Sequence, residues 1–311
     1  MRNPRIVSLF WLTLVVVLLM NPGGPVVQAQ EAGTAEEDVI EEIEFVEEVD
    51  PLDSWDIEGK TRDERTVNVL QARTARKGSL LFILDHRTWK SFLDDIAGDF
   101  LGFDNGQLKI GLAARYGIFD GLDVGLQRIN GTADTFKTDT YDIDLKYQFL
   151  KQQKHHLDAA VRGGMTWFSI KDAEDDQGFF GQLLINRTFG RRVRAGTGLL
   201  YHSDSYNENK DLRRGDPDHS MAVPVTVDIR FTPGFSWHGE VVANVDGFEE
   251  RYPVVSTSFR ATTNKHTFAL VISNTQYFGA TGIATNTFRG YDDLILGFTI
   301  TREFRLLPSK D

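Results

Sequence analysis

The fold is decided by a ten-residue stretch, 140-TYDIDLKYQF-149, in which polar and apolar side chains alternate without a break. Successive side chains of a β-strand point to opposite faces, so one face of this strand is apolar and the other is charged. The same period of two recurs along the chain from residue 79 onward. The sequence therefore predicts an all-β protein with strands longer than the five or six residues typical of soluble domains.

Twelve strands are predicted in this way, and an even number returns both ends of the sheet to one side. The tenth strand alternates least clearly, so its register is the least defined. The predicted strands cover residues 79–87, 107–116, 122–129, 138–149, 156–169, 179–189, 193–203, 221–231, 235–245, 253–261, 266–273 and 291–304.

The connections between these strands alternate between short turns and mostly longer loops. Short turns at one end and long loops at the other are typical of a transmembrane barrel, in which closure satisfies every backbone hydrogen bond within hydrocarbon. The sequence therefore predicts an antiparallel transmembrane β-barrel of about 12 strands, with short periplasmic turns and long exterior loops. A soluble sandwich or lipocalin-like barrel would also alternate, but it explains the strand lengths and the loop asymmetry less well.

The N-terminus has the pattern of a secretory signal peptide. Arg2 and Arg5 precede a mainly apolar run over residues 6–20, and small residues, Val27 and Ala29, stand at the −3 and −1 positions of a cleavage site. We expect cleavage after Ala29 and export to the outer membrane of a Gram-negative bacterium. The predicted domains are a signal peptide (1–29), an acidic, disordered periplasmic leader (30–66) and the β-barrel domain (67–311).

Charge and composition exclude several classes of function. Fifteen of the 45 acidic residues but five of the 34 basic residues precede Val67, which leaves 30 acidic and 29 basic residues in the predicted barrel. This balance argues against nucleic acid, which requires a basic surface. The chain has no Cys, which excludes disulfide scaffolds, thiolate metal sites and cysteine nucleophiles.

The polar face of the strands points into the lumen if the apolar face meets lipid. Its nearly balanced charges predict either weak ion selectivity or a salt-bridged interior, and twelve strands lie between a filled barrel of eight and an open pore of sixteen. The candidate lumen-lining residues are Lys109, Arg115, Asp123, Asp142, Asp144, Lys146, Asp158, Arg162, Arg194, Asp228, Arg230 and Glu240.

Residue types that could carry chemistry occur in the predicted loops. His219 and Ser220 suggest a hydrolase, but nothing in the spacing brings a nucleophile, a base and an acid together. The acidic residues of 172–176 lack the fixed ligand order of a calcium loop. We therefore predict no catalytic residue, no metal site, no cofactor and no enzymatic activity.

Three stretches resemble a family of bacterial proteins with a predicted outer-membrane β-barrel of unknown function. The resemblance implies location and architecture, and it carries no catalytic residue. The stretches are 101–106 with 116–125 and Arg128; Lys137 with 141–142 and 145–147; and 266–270 with Asn274 and 296–304.

Together these patterns favour a narrow outer-membrane pore for small hydrophilic solutes. Two alternatives stay open: a closed structural or adhesive barrel that uses the exterior loops 204–220 and 274–290, and a membrane-embedded hydrolase. The expected partners are outer-membrane lipid, lipopolysaccharide, the barrel-assembly machinery and a small solute, with no nucleic acid.

Overall fold

The computed structural model describes residues 60–61, 64–88, 91, 108–130, 138–170, 175–203 and 219–307. The predicted signal peptide and all but the end of the predicted leader lie outside these residues. Twelve antiparallel strands form one closed barrel, in which each strand pairs with its neighbours in sequence and β1 pairs with β12. The predicted fold class is confirmed.

The strand bounds agree with the sequence prediction to within four residues, and those of the third and eleventh strands are identical. In the described part of the chain, two short helices, α1 (Gln152–His155) and α2 (Ala280–Ala284), lie in connections between strands. The strands are β1 Ser79–Thr88, β2 Leu108–Phe119, β3 Leu122–Ile129, β4 Thr138–Leu150, β5 Asp158–Ile170, β6 Asp176–Phe189, β7 Val193–His202, β8 Ser220–Thr232, β9 Phe235–Gly247, β10 Val254–Thr262, β11 His266–Ser273 and β12 Ile295–Arg305.

The pairing of the first and last strands closes the sheet. Leu80 on β1 lies opposite Phe304 on β12 and opposite Tyr116 on β2. Because closure leaves no strand edge, the backbone groups of every strand find partners within the barrel. None of the helices in the described ranges has the length and apolar character that a membrane crossing needs.

The outer face of the barrel is apolar, and its exposed aromatic side chains gather near the two ends of the strands. Leu145, in the middle of β4, is 54% exposed, as expected for a side chain that meets lipid rather than water. Aromatic girdles at both membrane boundaries are typical of transmembrane barrels. The exposed rings near the short turns include Phe119, Tyr147, Phe149, Phe231, Phe235 and Phe304, and those near the long loops include Tyr141, Trp167, Phe179 and Tyr201.

Short turns connect the strands at one end, which we call the turn side; the opposite end is the loop side. The β2–β3 turn contains Gly121 at φ +100°, a conformation that favours glycine. The β4–β5 turn contains α1 and continues through His156 at φ +64°. His155 and His156 are both exposed, as the sequence predicts for a solvated turn.

The tenth strand follows the period of two despite its weak sequence pattern. Ser256, Ser258 and Arg260 are buried on the inner face, whereas Phe259 is exposed on the outer face. The inner face of β10 is polar because it contacts buried polar groups inside the barrel.

The first described residues run inside the barrel. We call residues 64–77 the plug, because this segment enters the lumen before β1 and most of its side chains are buried. The predicted boundary between leader and barrel, after Thr66, falls within the plug: Glu64, Arg65 and Thr66 are buried with the rest of it. The acidic composition of the upstream residues hides this, because the contacts that bury these three residues come from strands far along the chain.

A second segment fills the lumen from the loop side. We call residues 274–294, which include α2, the inward loop. Asn274, Thr275 and Gln276 are fully buried, as is Ala284 of α2. The expectation that residues 274–290 form an exposed contact surface is therefore wrong for most of this loop, because both its polar and its apolar side chains are buried inside the barrel. The other proposed contact loop, 204–220, lies outside the described residues except for its end.

Candidate functional site

The candidate site is the interior of the barrel, and the structure places the predicted lumen residues there. Eleven of the twelve are buried, and Arg230 is partly buried near the turn side. Their part in conducting a solute remains a prediction. The buried ones are Lys109, Arg115, Asp123, Asp142, Asp144, Lys146, Asp158, Arg162, Arg194, Asp228 and Glu240.

Several of these charges pair along the inner wall. The Arg115 guanidinium lies 2.5 Å from a carboxylate oxygen of Asp123 and 2.7 Å from one of Asp144. Arg162 lies 2.7 Å from Asp144 on the other side. Ion pairs thus connect β2 to β5 across the inner face. Bidentate arginine contacts of this kind hold both partners in a fixed geometry.

The plug is a re-entrant loop that enters and leaves at the turn side. The Thr61 N–H donates to the carbonyl of Thr263 in the β10–β11 turn, and at the other end the Gly78 N–H donates to the carbonyl of Gly117 near the β2–β3 turn. Between these ends the chain reverses, with Arg65 and Leu70 forming an antiparallel bridge. Both ends of the plug therefore lie at the same mouth of the barrel.

The tip of the plug is held by one carboxylate. The backbone N–H groups of Val67, Asn68 and Val69 donate to Oε2 of Glu240 at 3.1, 2.9 and 3.1 Å. The Asn68 side-chain amide donates to Oε1 of the same residue at 2.7 Å. Three successive N–H groups that converge on one anion form a backbone nest, so Glu240 fixes the turn at the tip.

Ion pairs also link the plug to the wall around the barrel. Their N–O distances are 3.0 Å for Glu64–Lys146, 2.6 Å for Arg65–Asp85, 3.1 Å for Arg73–Asp158 and 2.7 Å for Arg76–Glu303.

Glu64 and Lys146 form the most deeply buried of these pairs. Lys146 Nζ also donates to the backbone carbonyl of Arg73, at 2.5 Å. Burial raises the pKa of the Glu64 carboxyl above its ordinary value, against the lowering effect of Lys146. Because a buried charge is costly without its partner, the loss of either residue should weaken the seating of the plug.

An apolar layer closes the middle of the lumen. Val69 and Ala72 of the plug pack in one cluster with Ile283 and Ala284 of the inward loop. The plug and the inward loop therefore meet inside the barrel. The wall residues of this cluster, from β5 to β10, are Ala160, Leu184, Leu200, Ala222, Val242 and Val254.

The inward loop is also tied to the wall through polar groups. The Thr281 hydroxyl lies 2.8 Å from Nε2 of His202, which lies 3.1 Å from the Thr166 hydroxyl. Thr166 in turn donates to Asp142 at 2.7 Å. This chain of hydrogen bonds anchors α2 to β4, β5 and β7.

Little space remains between these segments. A cavity of about 30 Å³ lies between the plug, the inward loop and the wall, lined in part by Asn68, Arg115, Arg162 and Phe278. Such a volume holds one or two water molecules. This cavity is therefore too small for a solute larger than water.

Sequence reasoning missed the plug. Its contacts join residues from about 20 to more than 150 positions apart, as in the Arg65–Asp85 and Asn68–Glu240 hydrogen bonds, so no local periodicity marks them. One signal was present: the composition changes from acidic before residue 59 to basic over residues 60–77. This change occurs where the chain meets the carboxylates of the wall.

The closed sheet, its apolar outer face and its two aromatic girdles define a transmembrane β-barrel of the outer-membrane type. The chain belongs to the membrane bound beta barrel domain family DUF5777, whose model matches residues 62–304. The match takes in the plug as well as the twelve strands. The resemblance inferred from the sequence is confirmed.

Several solved structures of outer-membrane proteins align with the chain at low sequence identity. The NanC porin aligns with a TM-score of 0.45 at 11% identity, covering 72% of this chain and 98% of that one. An outer membrane channel from Pseudomonas putida F1 gives 0.44 at 13%, covering 75% and 98%. The KdgM porin gives 0.42 at 8%, covering 73% and 99%. No curated protein sequence matches the chain.

Proposed function

We propose that this outer-membrane barrel is a gated channel for small hydrophilic solutes and that the plug is its gate. The observation that carries the proposal is the path of the plug, whose two ends lie at the same mouth of the barrel. A re-entrant loop of this kind leaves the lumen without threading through it and without breaking any strand pairing.

The contacts of the plug are of a kind that water replaces. The plug is held mainly by hydrogen bonds and ion pairs to side chains of the wall, including those of Glu240, Lys146 and Asp158. When the plug leaves, water fills the lumen and solvates both partners, so each hydrogen bond contributes only about 0.5–1.5 kcal/mol to closure between neutral groups and about 1.5–3 kcal/mol where one group is charged. Closure is stable because many such contacts act together.

The wall behind the plug suits a polar solute. Once the plug is displaced, charged groups such as Asp123, Lys146 and Glu240 face the lumen, as the sequence predicts for lumen-lining residues. A polar inner face with an apolar outer face is the arrangement of water-filled barrels. In this proposal the protein acts as a passage and catalyses nothing on the transported solute.

The test is the ion current of a plugless variant, in which residues 64–75 are replaced by a Gly/Ser chain of equal length. The twelve strands stay unchanged, so the variant should insert into planar bilayers as a folded barrel. We expect discrete conductance steps in the variant and a mostly silent wild type. If the folded variant passes no current and no solute into liposomes, the channel proposal fails and a closed structural barrel becomes the better account.

Further features of the proposal concern export and assembly. We propose that the signal peptide is cleaved after Ala29, that the turn side faces the periplasm, and that the barrel-assembly machinery inserts the chain into a membrane containing lipopolysaccharide. The apolar run at residues 6–20 and the aromatic girdles support these statements. N-terminal sequencing of the mature protein from outer-membrane fractions tests the cleavage site.

A further inference from the structure

The inner wall near the turn side holds a serine, a histidine and an aspartate in one chain of hydrogen bonds. The Oγ atom of Ser236 lies 2.7 Å from Nε2 of His238, and Nδ1 of His238 lies 2.6 Å from Oδ1 of Asp228. This is the order of nucleophile, base and orienting acid that acyl-transferring enzymes use.

The β8–β9 hairpin builds this chain through its register. Ser236 and His238 are two residues apart on the inner face of β9, and Asp228 on β8 is paired with His238. The three side chains therefore lie on one face of two adjacent strands. Rigid strands hold such a constellation more precisely than loops do.

Asp228 is itself fixed in place. Its second oxygen, Oδ2, accepts hydrogen bonds from Arg194 at 2.8 Å and from Gln71 of the plug at 3.1 Å. Oδ1 is thereby turned toward His238. A carboxylate that accepts the Nδ1–H of an imidazole directs the lone pair of Nε2 toward the serine hydroxyl. Asp228 is thus a positioning residue for His238.

All three residues are buried, and Ser236 is the least buried of them. His238 and Asp228 are 0% and 1% exposed, whereas Ser236 is 8% exposed. Ser236 is the second residue of β9, directly after the short turn, so it lies close to the mouth of the barrel. The base is shielded from solvent, and Ser236 is the residue of the three that lies nearest to the mouth.

Two arginines flank the serine. Arg230 on β8 and Arg260 on β10 are both paired with Ser236 in the strand register. Arg260 is buried and donates to the plug carbonyls of Arg65 and Thr66, whereas Arg230 is only partly buried. Guanidinium groups bind carboxylates and stabilise developing oxyanions. The surroundings of Ser236 therefore favour a substrate that carries negative charge.

We propose that Ser236 is the nucleophile of an esterase site, reached from the turn side, that acts on carboxylic esters bearing an anionic group. Ser236 Oγ attacks the ester carbonyl while His238 Nε2 takes the hydroxyl proton. The ester C–O bond breaks, and the leaving alcohol receives that proton. Water then attacks the acyl-serine, passes a proton through His238 back to Oγ, and releases the acid.

This site differs from the pair suggested by the sequence. The Ser220 hydroxyl donates to the backbone carbonyl of Phe248 at 2.7 Å, and His219 lies 3.2 Å from Asp246. Ser220 is therefore not activated by its neighbouring histidine. The proposal does not require the plug to move, because the serine, the histidine and the aspartate all lie on the β8–β9 hairpin, although Gln71 of the plug also contacts Asp228.

A fluorophosphonate probe tests the site, because it reacts with activated serines and loses fluoride. Wild type and the plugless variant are treated with the probe in detergent, and the modified peptide is identified by mass spectrometry. We expect labelling at Ser236, lost in Ser236→Ala, lowered at least tenfold in His238→Ala and unchanged in the matched control Ser220→Ala. The absence of labelling in both proteins, or equal labelling in His238→Ala, would overturn the proposal.

Turnover gives a second readout. We expect hydrolysis of a nitrophenyl ester whose acyl chain ends in a carboxylate, and a fall in kcat/KM of about a thousandfold in Ser236→Ala. A neutral ester of equal length should react more slowly, and Arg230→Gln should remove that difference. Equal rates for wild type and Ser236→Ala contradict the proposal.

A cysteine variant covers the case in which an alanine variant fails to fold. The natural chain has no Cys, so Ser236→Cys and the control Ser258→Cys each carry a single thiol. Both positions are on the inner wall, and Ser258 is paired with His238 on the neighbouring strand. If His238 activates position 236, the thiol of Ser236→Cys should be alkylated at least tenfold faster at neutral pH than the thiol of Ser258→Cys. Equal rates would show that His238 does not act as a base toward residue 236.

Discussion

The substitution Glu240→Gln tests how the plug is held, because one carboxylate accepts four hydrogen bonds from its tip. Hydrogen bonds to a charged group contribute about 1.5–3 kcal/mol each and neutral ones about 0.5–1.5 kcal/mol. Glutamine keeps three of these hydrogen bonds as neutral ones and turns an N–H donor toward the Asn68 amide. The hydrogen bonds that hold the plug closed are thereby weakened by about 5 kcal/mol in total. The avoided desolvation of the carboxylate offsets roughly half of this. The free energy of closing the plug therefore falls by about 2–3 kcal/mol, which raises the equilibrium constant for opening roughly 30- to 150-fold.

Thiol labelling measures this shift directly. Ala72 is fully buried in the plug, and Ala72→Cys supplies the only thiol of the chain, so its reaction with a bulky maleimide reports how often the plug leaves. The rate should rise about 30- to 150-fold when Glu240→Gln is added. Asp120→Asn, at an exposed position in the β2–β3 turn, is the matched control and should leave the rate unchanged. A change below about threefold in an intact barrel would refute the reasoning.

Three further predictions concern the barrel and its lumen. Leu145→Arg should destabilise the barrel by about 2–4 kcal/mol, because an outward charge in the middle of a strand meets hydrocarbon. Urea unfolding in vesicles measures this change. A loss of unfolding free energy below about 1 kcal/mol would contradict the lipid-facing position of Leu145. Gly117→Ala should speed the labelling of the plug, because a Cβ there would come within 2.1 Å of the Arg76 carbonyl oxygen; an unchanged rate speaks against that contact. The plugless variant should prefer K⁺ over Cl⁻ by about fivefold, the Boltzmann factor for unit charges 4 Å apart in water, because Asp85 and Asp158 lose their arginine partners in the plug. A reversal potential near zero in a salt gradient would show no such preference.

The strands could be predicted from the sequence because their signals are local. Alternation and turn residues act over two to ten positions, and the bounds of β3 and β11 follow from them without error. The inward direction of residues such as Asp142 and Lys146 follows from the same alternation. Lipid outside and polar groups inside leave one arrangement of these strands, so the closed barrel follows as well.

The filling of the lumen could not be predicted, because it depends on contacts between distant parts of the chain. The plug has neither the period of a strand nor that of a helix, and the wall residue that holds its tip, Glu240, is some 170 positions away. The inward loop reads as an ordinary polar exterior loop until its small residues, such as Ala284, are seen to fit the apolar layer.

The chain of Ser236, His238 and Asp228 lies between these two cases. The alternation places Ser236 and His238 on one face of β9, and the short β8–β9 turn fixes which residue of β8 lies opposite. The register Asp228↔His238 was therefore within reach of the sequence. A sequence interpretation that takes its candidate chemistry from the loops, where polar residues are common, does not find this pairing on the inner wall.

The most direct test of the gate is the current through a barrel whose plug can be locked. The Ala72 N–H donates to the Asn186 side chain at 2.6 Å, so Ala72→Cys and Asn186→Cys should place two thiols within reach of a disulfide, here in the Glu240→Gln background. We expect a silent oxidised protein that shows conductance steps in the same bilayer once a reductant is added. Equal currents before and after reduction, with the disulfide verified by mass spectrometry, would contradict this expectation.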